Sequence, residues 1–161
     1  MKKLKLETTL DVFDSVSELP QDIQELMIKA QQAREKAYAP YSSFKVGAAL
    51  QLANGEVVLG NNQENAAFPS GLCAERVAIF YAGATYPGVA VTSIALTVRS
   101  LEHTVTKPTP PCGACRQSIA EYEVNQKSSI NIYFMGETGT VVKADSIEVL
   151  LPFVFDNTFL K

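Results

Sequence analysis

Two segments patterned as helix in this chain open on cysteine, and that placement constrains the fold more than any other feature. Cys73 begins "CAERVAIFYAGA", while Cys112 and Cys115 begin "CGACRQSIAEYE". From Val77 onward the first segment is small, apolar and suited to a core. Its opening turn nevertheless carries a thiol, the carboxylate of Glu75 and the guanidinium of Arg76. Unpaired charge is costly to bury, so such groups shed protons or find partners. If the strands before the two helices are neighbours in one sheet, three sulfurs converge at one edge of it.

The flanking pattern supplies such strands. Pro20 opens a helix that puts Ile23, Leu26, Met27, Ala30, Ala33 and Ala37 on one face. "YAPYSS" breaks it, because a residue before proline is pushed towards extended geometry. "FKVGAALQL" and "EVVLG" read as strands joined by a hairpin at Asn54-Gly55. A polar loop, "NNQENAAFPSG", leads to a helix over 72–83, then to "VTSIALTVRS" as a buried strand. A loop with His103, Pro108, Pro110 and Pro111 precedes the second cysteine-led helix, over 112–123. "INIYFM" and "TVVKA" are strands about a "GETG" turn, and "DSIEVLLP" is a short helix with Asp145 as N-cap. Alternating strands and helices predict an α/β domain over 20–161 with five core strands. Hairpins at both ends require a mixed sheet. Residues 1–19 alternate apolar and polar in "KLKLETTLDVF", as an added edge strand or a loose arm.

Composition narrows the partners. A chain of 161 residues with 47% hydrophobic and 19% charged residues suits a globular domain with a proper core. Its formal charge of −3 and sparse basic residues argue against a nucleic-acid backbone as partner. No run reaches transmembrane length, so no membrane is expected. The residues after Lys2, Lys3 and Lys5 lack an uninterrupted apolar region of the signal-peptide kind. With three cysteines, an odd number, a disulfide framework fits poorly, and the chain is expected in the cytoplasm.

The Cys112-x-x-Cys115 pair has three readings: a redox dithiol, half a metal site, or two buried thiols. A third cysteine at another helix start favours a metal, since helix N-termini favour the thiolates that zinc requires. Three thiolates leave one tetrahedral position. A structural site would close it with His103, the single histidine; a catalytic site leaves it to water. His103 in a polar loop reads as a solvated residue. Glu75, two residues after Cys73, then becomes an acid–base partner of the metal-bound water. Zinc with three thiolates carries a formal charge of −1, which Arg76, and more weakly Arg116, would offset.

"CAER" followed by "PCGACRQ", with "YAPYSSFKVGAAL" and "NNQENAAFPSG" upstream, resembles the small zinc-dependent cytidine deaminases over about residues 21–155. The resemblance implies a three-layer α/β/α fold and one zinc per subunit on Cys73, Cys112 and Cys115. It implies deamination of cytidine and deoxycytidine, with zinc-bound hydroxide attacking C4 of the ring and Glu75 shuttling protons. Phe44 would pack on the base, Asn62 and Glu64 would hold the ribose hydroxyls, and Ala74 would also contact substrate. It further implies a homotetramer in which Ala66, Ala67, Phe68 and Phe155 reach a neighbour's site. Two residues depart from the pattern: Phe68 stands where tyrosine is common, and Gln63 where an apolar residue is common. Deamination of another cytosine nucleoside, and a non-catalytic structural zinc module, are the competing readings.

Overall fold

A computed structural model describes residues 1–160. Six strands form one mixed sheet: β1 (Asp11–Phe13), β2 (Phe44–Leu52), β3 (Val57–Asn61), β4 (Val91–Ser100), β5 (Asn131–Met135) and β6 (Val141–Ala144). Their spatial order is β1-β6-β5-β4-β2-β3, with β4 and β5 parallel and every other pair antiparallel. Helix α1 (Gln21–Glu35) covers one face; α2 (Ala74–Thr85) and α3 (Gly113–Gln126) cover the other. The architecture is the expected three-layer α/β/α. The expected five strands are joined by a sixth, because the arm supplies β1 against the open edge of β6.

Side-chain alternation along the strands assigns the two cores. Ala48, Leu50, Leu52, Ile94 and Leu96 point to the α2/α3 side, where they pack with Ala78, Ile79 and Ile119. Ala49 and Ala95 point the other way, onto Ile23, Leu26, Met27 and Ala30 of α1. The hairpin between β2 and β3 turns where Asn54-Gly55 predicts it, with Gly55 at φ +90°. Gly60 brings α2 close: a Cβ there would stand 2.3 Å from the Ala74 carbonyl oxygen and 2.7 Å from the Ala78 nitrogen.

Several element ends differ from the sequence pattern, each for a local reason. Helix α1 stops at Glu35, so Ala37 lies outside it, half-buried. Tyr38 already bridges to Gln63, and Ala39 precedes a proline. The last buried side chain of α1 is Arg34, whose Nη1 donates to Thr97 Oγ1 and the Val98 carbonyl, both at 2.9 Å. The segment after β6 forms only a 3-10 turn, Ile147–Val149. Pro152 prevents a longer helix. Ser146 rather than Asp145 caps it, accepting from the Glu148 N–H at 3.1 Å, because Asp145 pairs with Lys143.

Candidate active site

The two cysteine-led helices begin side by side. β3 runs into the loop that leads to α2, β4 into the loop that leads to α3, and both helices lie on the same face. Cys73 and Cys112 are the N-cap residues of α2 and α3, and Cys115 lies buried in the first turn of α3. Their sulfurs approach to 3.9 Å between Cys73 and Cys112 and 3.5 Å between Cys112 and Cys115, and all three lie within 4.8 Å of one another. These separations far exceed the roughly 2.0 Å of a disulfide. They match the edge of about 3.8 Å that a tetrahedron of sulfurs around zinc requires, given a Zn–S bond near 2.3 Å. The donor set therefore fits zinc.

No fourth histidine, cysteine or carboxylate among the described residues joins this group. His103 is exposed and its Nδ1 lies 3.3 Å from Ser100 Oγ. A closed structural zinc site needs a fourth protein ligand, so the geometry is that of an open one.

Proton positions within the trio follow from its crowding. The Cys115 thiol, by sharing its proton, does most to hold Cys73 down, to about 5, and the Arg76 guanidinium adds to it. The same hydrogen bond with Cys73, and burial, push the Cys115 thiol up. Arg76 Nη2 stands 3.9 Å from Cys73 Sγ. Arg116 is placed differently: its Nε donates to the Pro111 carbonyl at 2.8 Å and its Nη1 to the Leu150 carbonyl at 2.7 Å. Its hydrogen bonds tie the α3 entry to the C-terminal segment.

A cavity of about 450 Å³ opens beside the sulfurs. Cys73, Cys112 and Glu75 line it, together with Phe44 and Val46 from β2 and Leu96 and Val98 from β4. Asn62 and Glu64 come from the loop after β3, Ser42 from the loop before β2, and Thr109 and Pro110 from the loop before α3. Glu75 is only 6% exposed. Burial pushes its carboxyl above the usual carboxylate range, and negative charge on Cys73 pushes the same way. Asn62 is tied to β2: its Oδ1 accepts from the Val46 N–H at 2.7 Å, and its Nδ2 donates to the Phe44 carbonyl at 2.9 Å. Glu64 accepts from the Ser42 hydroxyl and from the N–H groups of Tyr41 and Ser42, which hold its carboxyl below the ordinary range.

The structure thus brings Phe44, Asn62, Glu64, Cys73, Glu75 and Cys112 around one cavity, with Cys115 beneath. Ala74 sits at the start of α2 with its side chain in the core and its carbonyl against Gly60. Phe68 lies on the rim, in edge-to-face contact with Tyr41 at 5.9 Å, and both flank an adjoining surface groove. Ala66 and Ala67 are exposed beside it. Phe155 lies apart, stacked on Phe159, its carbonyl accepting from Gln117 Nε2 at 2.7 Å. Ser42, Thr109 and Pro110 line the cavity unforeseen. Their only signals in the sequence are a helix-breaking "YAPYSS" and a proline-rich approach to Cys112.

Comparison with known proteins agrees with this geometry. The family model described as "Cytidine and deoxycytidylate deaminase zinc-binding region" matches residues 20–129, a span that includes all three cysteines. A cytidine deaminase of Halalkalibacterium halodurans is 48% identical over 102 residues, covering 62% of this chain and 71% of that one. A cytidine deaminase of Sporosarcina psychrophila is 38% identical over 134 residues, covering 83% and 91%. Among solved structures, cytidine deaminase from Burkholderia pseudomallei matches with a TM-score of 0.72 and 40% identity, over 85% of this chain and all of that one. A buried carboxylate beside an open three-thiolate site, on this fold and with these relatives, places the chain in the cytidine and deoxycytidylate deaminase zinc-binding family.

Proposed function

We propose that this protein hydrolyses cytidine and deoxycytidine to uridine and deoxyuridine, releasing ammonia. One observation carries the reading: the cavity joins the cysteine trio and buried Glu75 at one end to Phe44, Asn62 and Glu64 at the other. Cys73, Cys112 and Cys115 would hold the zinc, which would supply the Lewis acidity that activates water near neutral pH. Glu75 serves as general acid and base: it protonates N3 of the ring as water adds at C4, then delivers a proton to the departing amine. Its burial suits this cycle, because raising the carboxyl's pKa makes it a better proton acceptor while it stays able to donate. Phe44 and Val46 offer apolar surface to the base. Glu64 accepts from the sugar, and Asn62 retains one N–H beyond its bond to β2. Arg76 offsets the negative charge of the thiolates.

The lining also selects between the family's two named substrates. No lysine, arginine or histidine lines this cavity, and Glu64 adds negative charge to it. A nucleoside monophosphate brings about two negative charges that meet no cation in this lining, which favours the unphosphorylated nucleoside as substrate. Zinc-loaded protein should release ammonia from cytidine and deoxycytidine and leave deoxycytidylate untouched. Absence of turnover on both nucleosides would sink the reading.

The site is completed, on this reading, by further copies of the chain. Phe68 is 74% exposed, Tyr81 58%, Phe153 79% and Phe155 57%. Exposed rings on this scale support a homotetramer in which Ala66, Ala67, Phe68 and Phe155 approach a neighbouring site. Light scattering coupled to size exclusion tests it; a monomer at micromolar concentration contradicts it. Among the described residues no helix is long and apolar enough to cross a membrane. Three free cysteines support a reducing, cytoplasmic setting.

A further inference from the structure

Ser42 lines the cavity with Phe44 and Glu64, and its hydroxyl touches both, with the Phe44 carbonyl a further 3.5 Å contact. The hydroxyl donates to Glu64 Oε1 and accepts from the Phe44 N–H at 3.1 Å. The Ser42 N–H and the Tyr41 N–H both donate to Glu64 Oε2, at 3.3 and 2.9 Å. The turn that presents these groups is itself held. The Ser43 N–H donates to the Ala39 carbonyl at 3.2 Å and the Leu101 N–H to the Ser43 carbonyl at 2.9 Å. Ser43 adopts φ +54°, a left-handed conformation that few side chains take without local support.

A donor count says what this arrangement does. A carboxylate is acceptor-only, with about two positions on each oxygen. Two backbone N–H groups fill Oε2 and the Ser42 hydroxyl takes one position on Oε1, which leaves one. Anchored in this way, Glu64 presents a single oriented acceptor to the cavity.

We propose that Ser42 is a positioning residue that sets this one free acceptor of Glu64 for a sugar hydroxyl, and so determines how strongly the enzyme depends on the ribose. The inference rests on the deaminase reading above and assigns Ser42 no contact with the reacting ring. Without the hydroxyl, Glu64 loses its fixed orientation. Selection against nucleosides lacking the 2′- and 3′-hydroxyls then weakens, because those compounds had nothing to lose.

The test compares Ser42→Ala with the parent on cytidine and on 2′,3′-dideoxycytidine. The latter is followed as substrate or, where turnover is slow, as competitive inhibitor of cytidine. Loss of a hydrogen bond to a charged group predicts a fall in kcat/KM for cytidine of about tenfold or more, mainly through KM. The dideoxy compound should change by less than about twofold. Ser42→Thr, which keeps a hydroxyl, should restore cytidine kinetics, and Ser42→Ala should add little to Glu64→Gln. Ser42→Cys, close in size, gives the same comparison should the alanine variant fold poorly. An equal loss on both nucleosides would show that Ser42 acts through Phe44 or the fold, and overturns the proposal, as does no loss on either. Failure of the parent protein to deaminate cytidine overturns instead the functional reading on which it rests.

Discussion

Arg76 Nη2 lies 3.9 Å from Cys73 Sγ, three residues along the same first turn of α2. Arg76 Nε is buried without a hydrogen-bond partner, so the guanidinium directs its charge at the sulfurs while partly desolvated. Together with the Cys115 thiol it helps hold Cys73 at about 5. The sign follows from proton competition. Arg76 favours the Cys73 thiolate; without it the pKa of that thiol rises, and protons compete with zinc at higher pH. Arg76→Ala should therefore release zinc at a higher pH during acid titration, read with a metal-sensitive dye, and lose about tenfold or more in kcat. Arg116→Ala should lower the Tm but move the release pH less, since Arg116 bonds backbone carbonyls.

Glu75→Gln separates chemistry from structure. The amide keeps the shape of the carboxyl but cannot cycle a proton, so activity should fall by about 10²- to 10⁴-fold with zinc content unchanged. Stability of the metal-free protein should move the other way. Burial raises the Glu75 pKa in the folded state, so ionised Glu75 destabilises the fold at neutral pH. That cost is absent below the unfolded value of about 4.3 and fully present above the folded one. Thermal melts should show the glutamine variant more stable at pH 8, with the gap closing as pH falls towards 4. A gap that widens on acidification contradicts the sign.

The sheet and the cysteine trio were legible from the residue pattern, Phe44, Asn62 and Glu64 only through the family resemblance, and the reasons differ by feature. β4 falls on "VTSIALTVRS" residue for residue, because seven of its ten positions are β-branched or apolar and they run almost unbroken. The cysteine trio is legible because three thiols divided between two helix starts fit a metal better than a redox pair or a buried core. Helix ends were less readable: α2 begins at Ala74 and not Leu72, since Leu72 pairs with Gln63 in a short bridge that no local pattern announces. Arg34 escaped notice because a charged residue reads as surface until its buried partners, Thr97 and Val98, are known. Ser42 escaped for a similar reason. Its meaning depends on Glu64, 22 residues away, which folding brings to its hydroxyl.

Gly60→Ala should damage the metal site from behind. The added methyl would meet the Ala74 carbonyl at 2.3 Å, and both are main-chain neighbours with no side-chain rotation to relieve the clash. Overpacking of this kind costs on the order of 1–3 kcal/mol. Helix α2 must shift, carrying Cys73 and Glu75 away from Cys112 and Cys115 on α3. The variant should melt several degrees lower and bind zinc more weakly in competition with a chelator. Loss of stability with unchanged zinc affinity would mean that α2 tilts elsewhere along its length.

Removing residues 2–13 should expose the edge of β6 without touching the cavity. β1 pairs through Asp11, Val12 and Phe13 with Lys143, Val142 and Val141, and Phe13 packs against the α1-side core. Asp11 also lies 3.7 Å from Lys143 Nζ. A bare edge of unpaired N–H and C=O groups invites pairing with another chain. The truncated protein should melt lower and associate beyond the parent's state as concentration rises, seen by light scattering. Its kcat/KM for cytidine, per folded chain, should stay within about twofold, because β6 and β5 separate the arm from β4. Equal Tm and equal scattering would reduce β1 to a passive extension; a large loss of kcat/KM would instead tie the arm to the site through Glu148 and residues 151–154, which line a cavity together with Leu6 and Thr8.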